Sequence, residues 1–393
     1  MTDWLQELNR QLVDRRDHHL FRQRISVTSA QGADIVVDNS PLDNFSSNDY
    51  LGLANHPAVV QAFCTAAAQY GVGAGASHLV CGHSMLHEQL EQALAEFTGR
   101  DRALLFSSGY MANMAVLRTF AGKGDSIFQD KLNHASLLDG GLASGAAHFR
   151  YRHVDLAHLR QLLDKHRTGR ALLVSDAVFS MDGDCAPLAE LASLAAAYDA
   201  QLVADDAHGF GVLGANGAGL AEALSLDQQA LPVLVATLGK ALGVQGAFVA
   251  GSDAMIETLL QSARQYIYTT ALPPASAAAV LAALRICREE PQRRQQLRQR
   301  VQYFKRGCEA LGLPLMYPQG EDTPIQPLLV GANRDAEILA AQLRELGILA
   351  VAIRPPTVPV GTARLRISFS AGHCEAQIDR LLESLQQVFA KLK

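Results

Sequence analysis

The sequence has no dominant charge: 34 Lys+Arg against 39 Asp+Glu leave a formal net charge of −5 over 393 residues. That balance excludes the basic footprint of a nucleic-acid-binding protein or of one that docks on anionic lipid. Residues 1–24 (MTDWLQELNRQLVDRRDHHLFRQR) are polar and charged and lack the apolar stretch of a signal peptide. No window offers the long uncharged run of a membrane-spanning helix, and the Ala-rich stretch Ala275–Leu284 is too short for one. The six cysteines, Cys64, Cys81, Cys185, Cys287, Cys308 and Cys374, form no C-x-x-C pair. Neither a zinc site nor a disulfide framework is therefore expected, and a reducing, cytoplasmic location is.

What is present points to a large folded chain. Hydrophobic residues make up 49% of it, enough for a substantial core. The length is that of two or three domains. Trp4, Leu5, Leu8 and Leu12 recur at helical spacing, and an extended segment follows at Ile35–Val37, broken by Asn39-Ser40-Pro41. The run Asn44–Leu53 reads as a packed loop. From about residue 50 to 290, apolar runs such as Ala103–Phe106, Ser126–Gln129, Ala171–Ser175, Gln201–Ala204, Val233–Ala236 and Ala247–Ala250 alternate with helical patterns. Strands separated by helices imply a mostly parallel sheet covered on both faces, with its chemistry at the carboxyl ends of the strands. After about residue 290 a charged helical run is followed by strands near 326–330, 349–353 and 365–370. The expected organisation is an N-terminal segment 1–49, a large domain 50–290 and a small α/β domain 291–393.

Two motifs are set aside. Gly209-Phe-Gly211-Val-Leu-Gly214 satisfies G-x-G-x-x-G after a strand. The chain then continues Ala-Asn-Gly-Ala-Gly, a poor helix start, so a flexible loop is favoured over a nicotinamide site. His83 and His87 lie at i, i+4, but no Glu follows His83 and no third ligand is evident. Capping or surface histidines are favoured there, and no metal is expected.

Three motifs complete one another. Ser107–Asn113 (SSGYMAN) lies between a buried strand and a helix, where free N–H groups and the helix dipole receive an anion. Asp205-Asp206-Ala-His208-Gly209 ends a hydrophobic strand, and adjacent carboxylates call for a cationic partner. Lys240, in Thr237-Leu-Gly-Lys240, follows another buried strand, where desolvation favours the free amine. A phosphate cup, a strand-end Asp and a desolvated Lys are what pyridoxal 5'-phosphate (PLP) needs.

With these motifs the chain resembles the α-oxoamine synthases, a branch of the fold-type I PLP enzymes. The likeness runs over nearly the whole length: Asn44–Leu53 (NFSSNDYLGL), Ser107–Asn113, Asn133–Leu137 (NHASL), Val178–Leu188 (VFSMDGDCAPL), Asp205–Gly209, Thr237–Lys240 and Ile353–Arg366 (IRPPTVPVGTARLR). The last run leans to the branch of biotin synthesis, which joins L-alanine to a pimeloyl thioester of coenzyme A or a carrier protein. Sister enzymes that take glycine or serine, glycine C-acetyltransferase among them, share the cofactor apparatus. The resemblance implies an α/β fold with a seven-stranded-type sheet in the large domain, and a homodimer. It implies Lys240 as the covalent anchor of the cofactor and the group that moves the α-proton. Asp205 is implied at the pyridine nitrogen, His134 on the ring face, and His208 at the phenolic oxygen. Ser180 holds the ring, while Thr237, Gly109 and Tyr110 hold the phosphate. Thr269 or Thr270 reaches the phosphate of the neighbouring subunit. Arg366 is implied at the amino-acid carboxylate, Arg22 and Thr357 at the acyl substrate, and Asn48 and His134 among the residues that bind substrate. The chain departs from the family in the Gly-rich run, where Ala74 and Ala76 replace a hydroxyl residue and a glycine, and at His83, which stands for Tyr.

Overall fold

The computed structural model describes residues 3–392 except Pro318. They cluster into two compact units, one of residues 53–180 and 184–294, the other of residues 3–52, 181–183, 295–317 and 319–392. The N-terminal segment clusters with the C-terminal residues.

In the larger unit seven strands form one sheet: β1 Arg102–Phe106, β2 Ser126–Asp130, β3 Ala147–Tyr151, β4 Ala171–Asp176, β5 Ala200–Asp205, β6 Val233–Thr237 and β7 Ala247–Gly251. Their spatial order is β1-β7-β6-β5-β4-β2-β3. The strands from β2 to β6 are parallel to one another, and β7 runs antiparallel between β6 and β1. Side chains alternate across a strand, so each buried strand feeds two cores. Leu172, Val174 and Val203 join one with Ile127 and Val235, whereas Leu173, Leu202 and Ala204 join the other with Phe128 and Leu188. With both faces covered, these strands read as continuous apolar runs. Edge strand β3 is the exception, with only Tyr151 fully buried, and its mixed sequence (AHFRY) hid it from a reading of apolar runs.

Three helices of this unit position the site. Helix α1, Met85–Thr98, buries Leu90 and Leu94 and stops at Gly99 in the left-handed region. Helix α2, Gly109–Phe120, starts where Ser108 Oγ accepts the Met111 N–H at 3.3 Å. It buries Ala112, Ala115 and Val116 in the core of Ile127 and Val174. Helix α3, Ala135–Ser144, begins at His134, whose ring accepts the Ser136 N–H.

The smaller unit holds an antiparallel sheet of strands Ile325–Gly331, Ala363–Ser368 and Val351–Ile353, the second in the middle. A hairpin, Asp34–Val37 with Ser40–Asn44, is joined by the short parallel strand Ile348–Leu349. The break expected at Asn39-Ser40-Pro41 is narrower: the turn is Asp38-Asn39, both at positive φ (49° and 62°), and Ser40 and Pro41 already belong to the return strand. Two-residue hairpins favour such conformations, and Asp and Asn tolerate them. Helix Glu375–Ala390 buries Ile378, Leu381, Leu385 and Val388 at helical spacing. Helix Trp4–Asp17 forms as its spacing predicts, yet none of its residues is buried in this chain alone. Among the described residues no helix is long and apolar enough to cross a membrane.

Candidate active site

The carboxyl ends of β4, β5 and β6 bring together Asp176, Asp205 and Thr237, each the last residue of its strand. They line a cavity of about 180 Å³ with Gly109, Tyr110, Asn113, His134, Ser180, His208 and Lys240. Lys240 Nζ lies 2.8 Å from His208 Nε2. Asp205 is buried and paired in register with Asp176 on the neighbouring strand. Asp205 Oδ2 accepts from Asn113 Nδ2 at 2.6 Å, and Oδ1 accepts the Ala207 N–H at 3.0 Å. The same Asn113 amide donates to Ser136 Oγ at 2.9 Å, and Ser136 Oγ lies 2.7 Å from His134 Nδ1. A chain of polar contacts thus runs Asp205–Asn113–Ser136–His134.

Asp176 accepts the His134 N–H at 3.0 Å, and its own N–H is taken by Asn133 Oδ1. Full burial, with the charge of Asp205 beside it, holds the Asp176 carboxyl well above the usual carboxylate range. His134 is exposed by surface area, yet enough protein surrounds its ring that desolvation lowers its proton affinity; the attraction of Asp205 only partly offsets this. Asn113, Ser136 and Asp176 were not singled out from the sequence. Their signal was positional: a strand end, and the first turns of two helices that follow strand ends.

The two adjacent aspartates diverge. Asp205 faces the cavity, whereas Asp206 is buried in the Gly-rich loop, where it accepts the Leu220 N–H at 2.6 Å. Burial pushes its carboxyl up to about 8, with the charge of Asp205 adding to the effect. A Cβ on Gly209 would lie 2.1 Å from Asp206 Oδ1, and one on Gly219 would lie 1.9 Å from Oδ2. Gly209 of the G-x-G-x-x-G run and Gly219 beyond it therefore make room for a carboxyl, and no helix opens at Gly209–Gly214.

Of the other expected residues, Thr237 and Tyr110 line this cavity, and Thr269, Thr270, Asn48, Arg366, Arg22 and Thr357 do not. Thr237 Oγ1 donates to the Gly246 carbonyl at 3.0 Å. Thr270 is bridged to Ser77, and its carbonyl accepts from Ser107 Oγ at 3.4 Å. The Tyr110 hydroxyl donates to Asp139. In the smaller unit Arg366 is buried, and its Nη2 donates to Asn48 Oδ1 at 3.1 Å and to the Tyr50 hydroxyl at 3.4 Å. Arg22 and Thr357 are exposed and meet each other at 3.3 Å.

Comparison with known proteins decides the family. The profile of the aminotransferase class I and II family matches residues 41–385. The 8-amino-7-oxononanoate synthase of Pseudomonas aeruginosa (strain LESB58) is 56% identical over 386 residues, 98% of this chain and 95% of that protein. The chain belongs to the 8-amino-7-oxononanoate synthase family. It is a PLP-dependent acyltransferase of biotin biosynthesis with the fold-type I architecture. Among solved structures, a serine palmitoyltransferase variant from S. paucimobilis with a bound PLP–myriocin aldimine is 29% identical with a TM-score of 0.93, covering 99% of each chain. The 8-amino-7-oxononanoate synthase of Francisella tularensis is 34% identical with a TM-score of 0.78, over 89% of this chain and 98% of that one.

The residues at the strand ends fit PLP. Asn113 Oδ1 and Asp176 Oδ1 are buried without a hydrogen-bond partner, and both residues line the cavity, as expected of a pocket shaped for a polar ligand. The position a Cβ would take on Gly109, at the start of α2, is open to 4 Å. A phosphate can approach the backbone and the positive end of the helix there.

Proposed function

We propose that this chain condenses L-alanine with a pimeloyl thioester, giving 8-amino-7-oxononanoate, CO2 and the free thiol, as a homodimer. The observation that carries the reading is Lys240 hydrogen-bonded to His208 at strand ends that also present Asp205. When bound, PLP supplies a carbonyl for the amino group and an electron sink for the α-carbon.

The chain's own residues do the rest. Lys240 anchors the cofactor, then takes the proton from the alanine α-carbon and later returns one to it. The Asp205 carboxylate holds a proton at the pyridine nitrogen, and Asn113 fixes its orientation through the 2.6 Å bond. His134 packs on the ring face, while His208 donates to the phenolic oxygen. Ser180 helps hold the ring. Gly109, Tyr110 and Thr237 receive the phosphate, joined by Thr269 or Thr270 from the partner copy. The Arg366 guanidinium, held by Asn48 and Tyr50, serves the amino-acid carboxylate. Arg22 and Thr357 serve the acyl chain. In the reaction a bond forms between the alanine α-carbon and the thioester carbonyl, and the carbon–sulfur bond breaks. The bond to the carboxylate then breaks to release CO2, and a proton takes its place.

Thiol release by the PLP-loaded protein tests this reading, with L-alanine, glycine and L-serine crossed against pimeloyl, acetyl, succinyl and palmitoyl thioesters. Release with L-alanine and the pimeloyl thioester alone is expected. Release with glycine and a short acyl group would move the substrate assignment to a sister enzyme. Sedimentation of the same sample reads the dimer.

A further inference from the structure

The His83/His87 pair acquires neighbours on folding. A second cavity, of about 770 Å³, shares no lining residue with the one that holds Lys240. His83, Glu88 and Glu91 line it, and one ligand atom from each lies within 4.8 Å of the others. We infer that His83 Nε2, Glu88 and Glu91 form a binding site for a zinc-class divalent cation, with a coordination position open to this cavity.

Three observations carry the site. Glu88 and Glu91 stand one turn apart on α1, and Glu88 Oε2 is already 3.3 Å from His83 Nε2. A tetrahedral ion with ligands at about 2.1 Å sets donors roughly 3.4 Å apart, so the remaining gaps close by side-chain movements of about 1 Å. Glu88 is exposed and can make that movement.

The second observation is the far side of the His83 ring. Its Nδ1 lies 2.8 Å from Nδ1 of His78. His78 is buried and its ring stacks on Tyr266 with centroids 4.9 Å apart, which fixes the orientation of that contact. His83 can then carry its proton on Nδ1 and present an Nε2 lone pair. A metal-bound histidine ordinarily has such an outer partner.

The third observation is Glu91 itself. One oxygen accepts the Leu105 N–H at 2.9 Å, which fixes the carboxylate against β1 while the residue lines the cavity. Arg102, the cation within electrostatic reach, is held by Glu257 at 2.8 Å. Glu96 and Asp101 extend the acidic wall of the cavity, while Arg100 oppositely charges one end. One histidine with two carboxylates and an open position suits Zn²⁺ better than Mg²⁺, which prefers oxygen ligands and its own waters.

The three-histidine set His78, His83 and His87 also lies within ligating distance. It is disfavoured because both nitrogens of His87 are taken: Nδ1 accepts the Ser84 N–H at 2.9 Å, and Nε2 lies 2.8 Å from the Leu272 carbonyl.

The test is calorimetric titration of Zn²⁺ into chelator-treated, PLP-loaded protein, with Mg²⁺ as control. One zinc per chain is expected at this site, with no Mg²⁺ heat. His83→Gln and the isosteric Glu91→Gln should each remove that stoichiometric zinc. His78→Phe should weaken it about 10- to 100-fold, the usual effect of losing an outer partner. No saturable zinc in the wild type would overturn the proposal. So would undiminished zinc binding in both the His83→Gln and Glu91→Gln proteins, or loss in His87→Gln with retention in Glu91→Gln.

Discussion

Replacing His153 with Gln should destabilise this protein by an amount that depends on pH in a defined way. His153 sits between two carboxylates, with Nδ1 3.0 Å from Asp130 and Nε2 2.9 Å from Asp184. Burial alone pulls the imidazole's pKa down, but the hydrogen bonds and charges of the two aspartates push it up to about 10, against 6.5 for an ordinary histidine. The folded pKa is raised, so this stabilisation is complete below about pH 6.5 and disappears as pH climbs towards 10. Within that window it shrinks by about 1.4 kcal/mol per pH unit, from a ceiling of about 5 kcal/mol. The measured effect should be smaller, because the side chain is 24% exposed and Asp130 also accepts the Leu132 and Val154 N–H groups, each at 2.8 Å. About 3 kcal/mol at pH 6 is expected, at the lower end for breaking a buried pair. Gln can still donate to one carboxylate but cannot carry the charge. Urea unfolding of the wild type and His153→Gln, repeated from pH 6 to 10, reads the difference. A gap that stays constant over this range, or that is absent at pH 6, would refute the reasoning.

Lys240→Ala should lower thiol release at least ~10⁴-fold, the scale seen when a nucleophile or base is removed, and mass spectrometry after borohydride reduction should find no cofactor joined to the chain. Asn113→Leu removes a charge-assisted bond to Asp205 worth about 1.5–3 kcal/mol, so turnover should fall roughly 10- to 150-fold in a protein that still folds; a loss under about threefold would show that Asp205 needs no such support. Gly183→Ala should melt several degrees lower, because Gly183 sits at φ +76° and a Cβ there would lie 2.1 Å from the Ile325 carbonyl oxygen. An unchanged melting temperature would mean that the loop relaxes freely.

The strands that carry the site were legible because they are apolar on both faces, and their ends fell next to Asp205 and Lys240. The edge strand Ala147–Tyr151 was not legible: it pairs on one side, and its alternating polar residues resemble a loop. The hairpin's return strand was hidden by Ser40-Pro41, which read as a break although the turn comes two residues earlier. Within the site, residues with a local chemical signature stood out. Asn113, Ser136 and Asp176 did not, because each acts by meeting a residue 23 to 92 positions away, a relation that only the sheet order creates. The cluster at His83 shows the same limit: Glu88 and Glu91 lie on the helix in plain sequence, but which histidine nitrogen they meet depends on how His78 and Ser84 occupy the others.

The mould around Asp206 has a consequence for reading genomes. Asp206, Gly209 and Gly219 form one lock, since neither glycine can gain a side chain while the carboxyl stays where it is. A side chain should therefore appear at Gly209 or Gly219 only where Asp206 has also changed. A scan for G-x-G-x-x-G alone will keep mistaking this loop for a dinucleotide fingerprint. A pattern that also requires the aspartate three residues upstream and a glycine ten residues after the first would separate loops folded around an acid from those folded around a pyrophosphate.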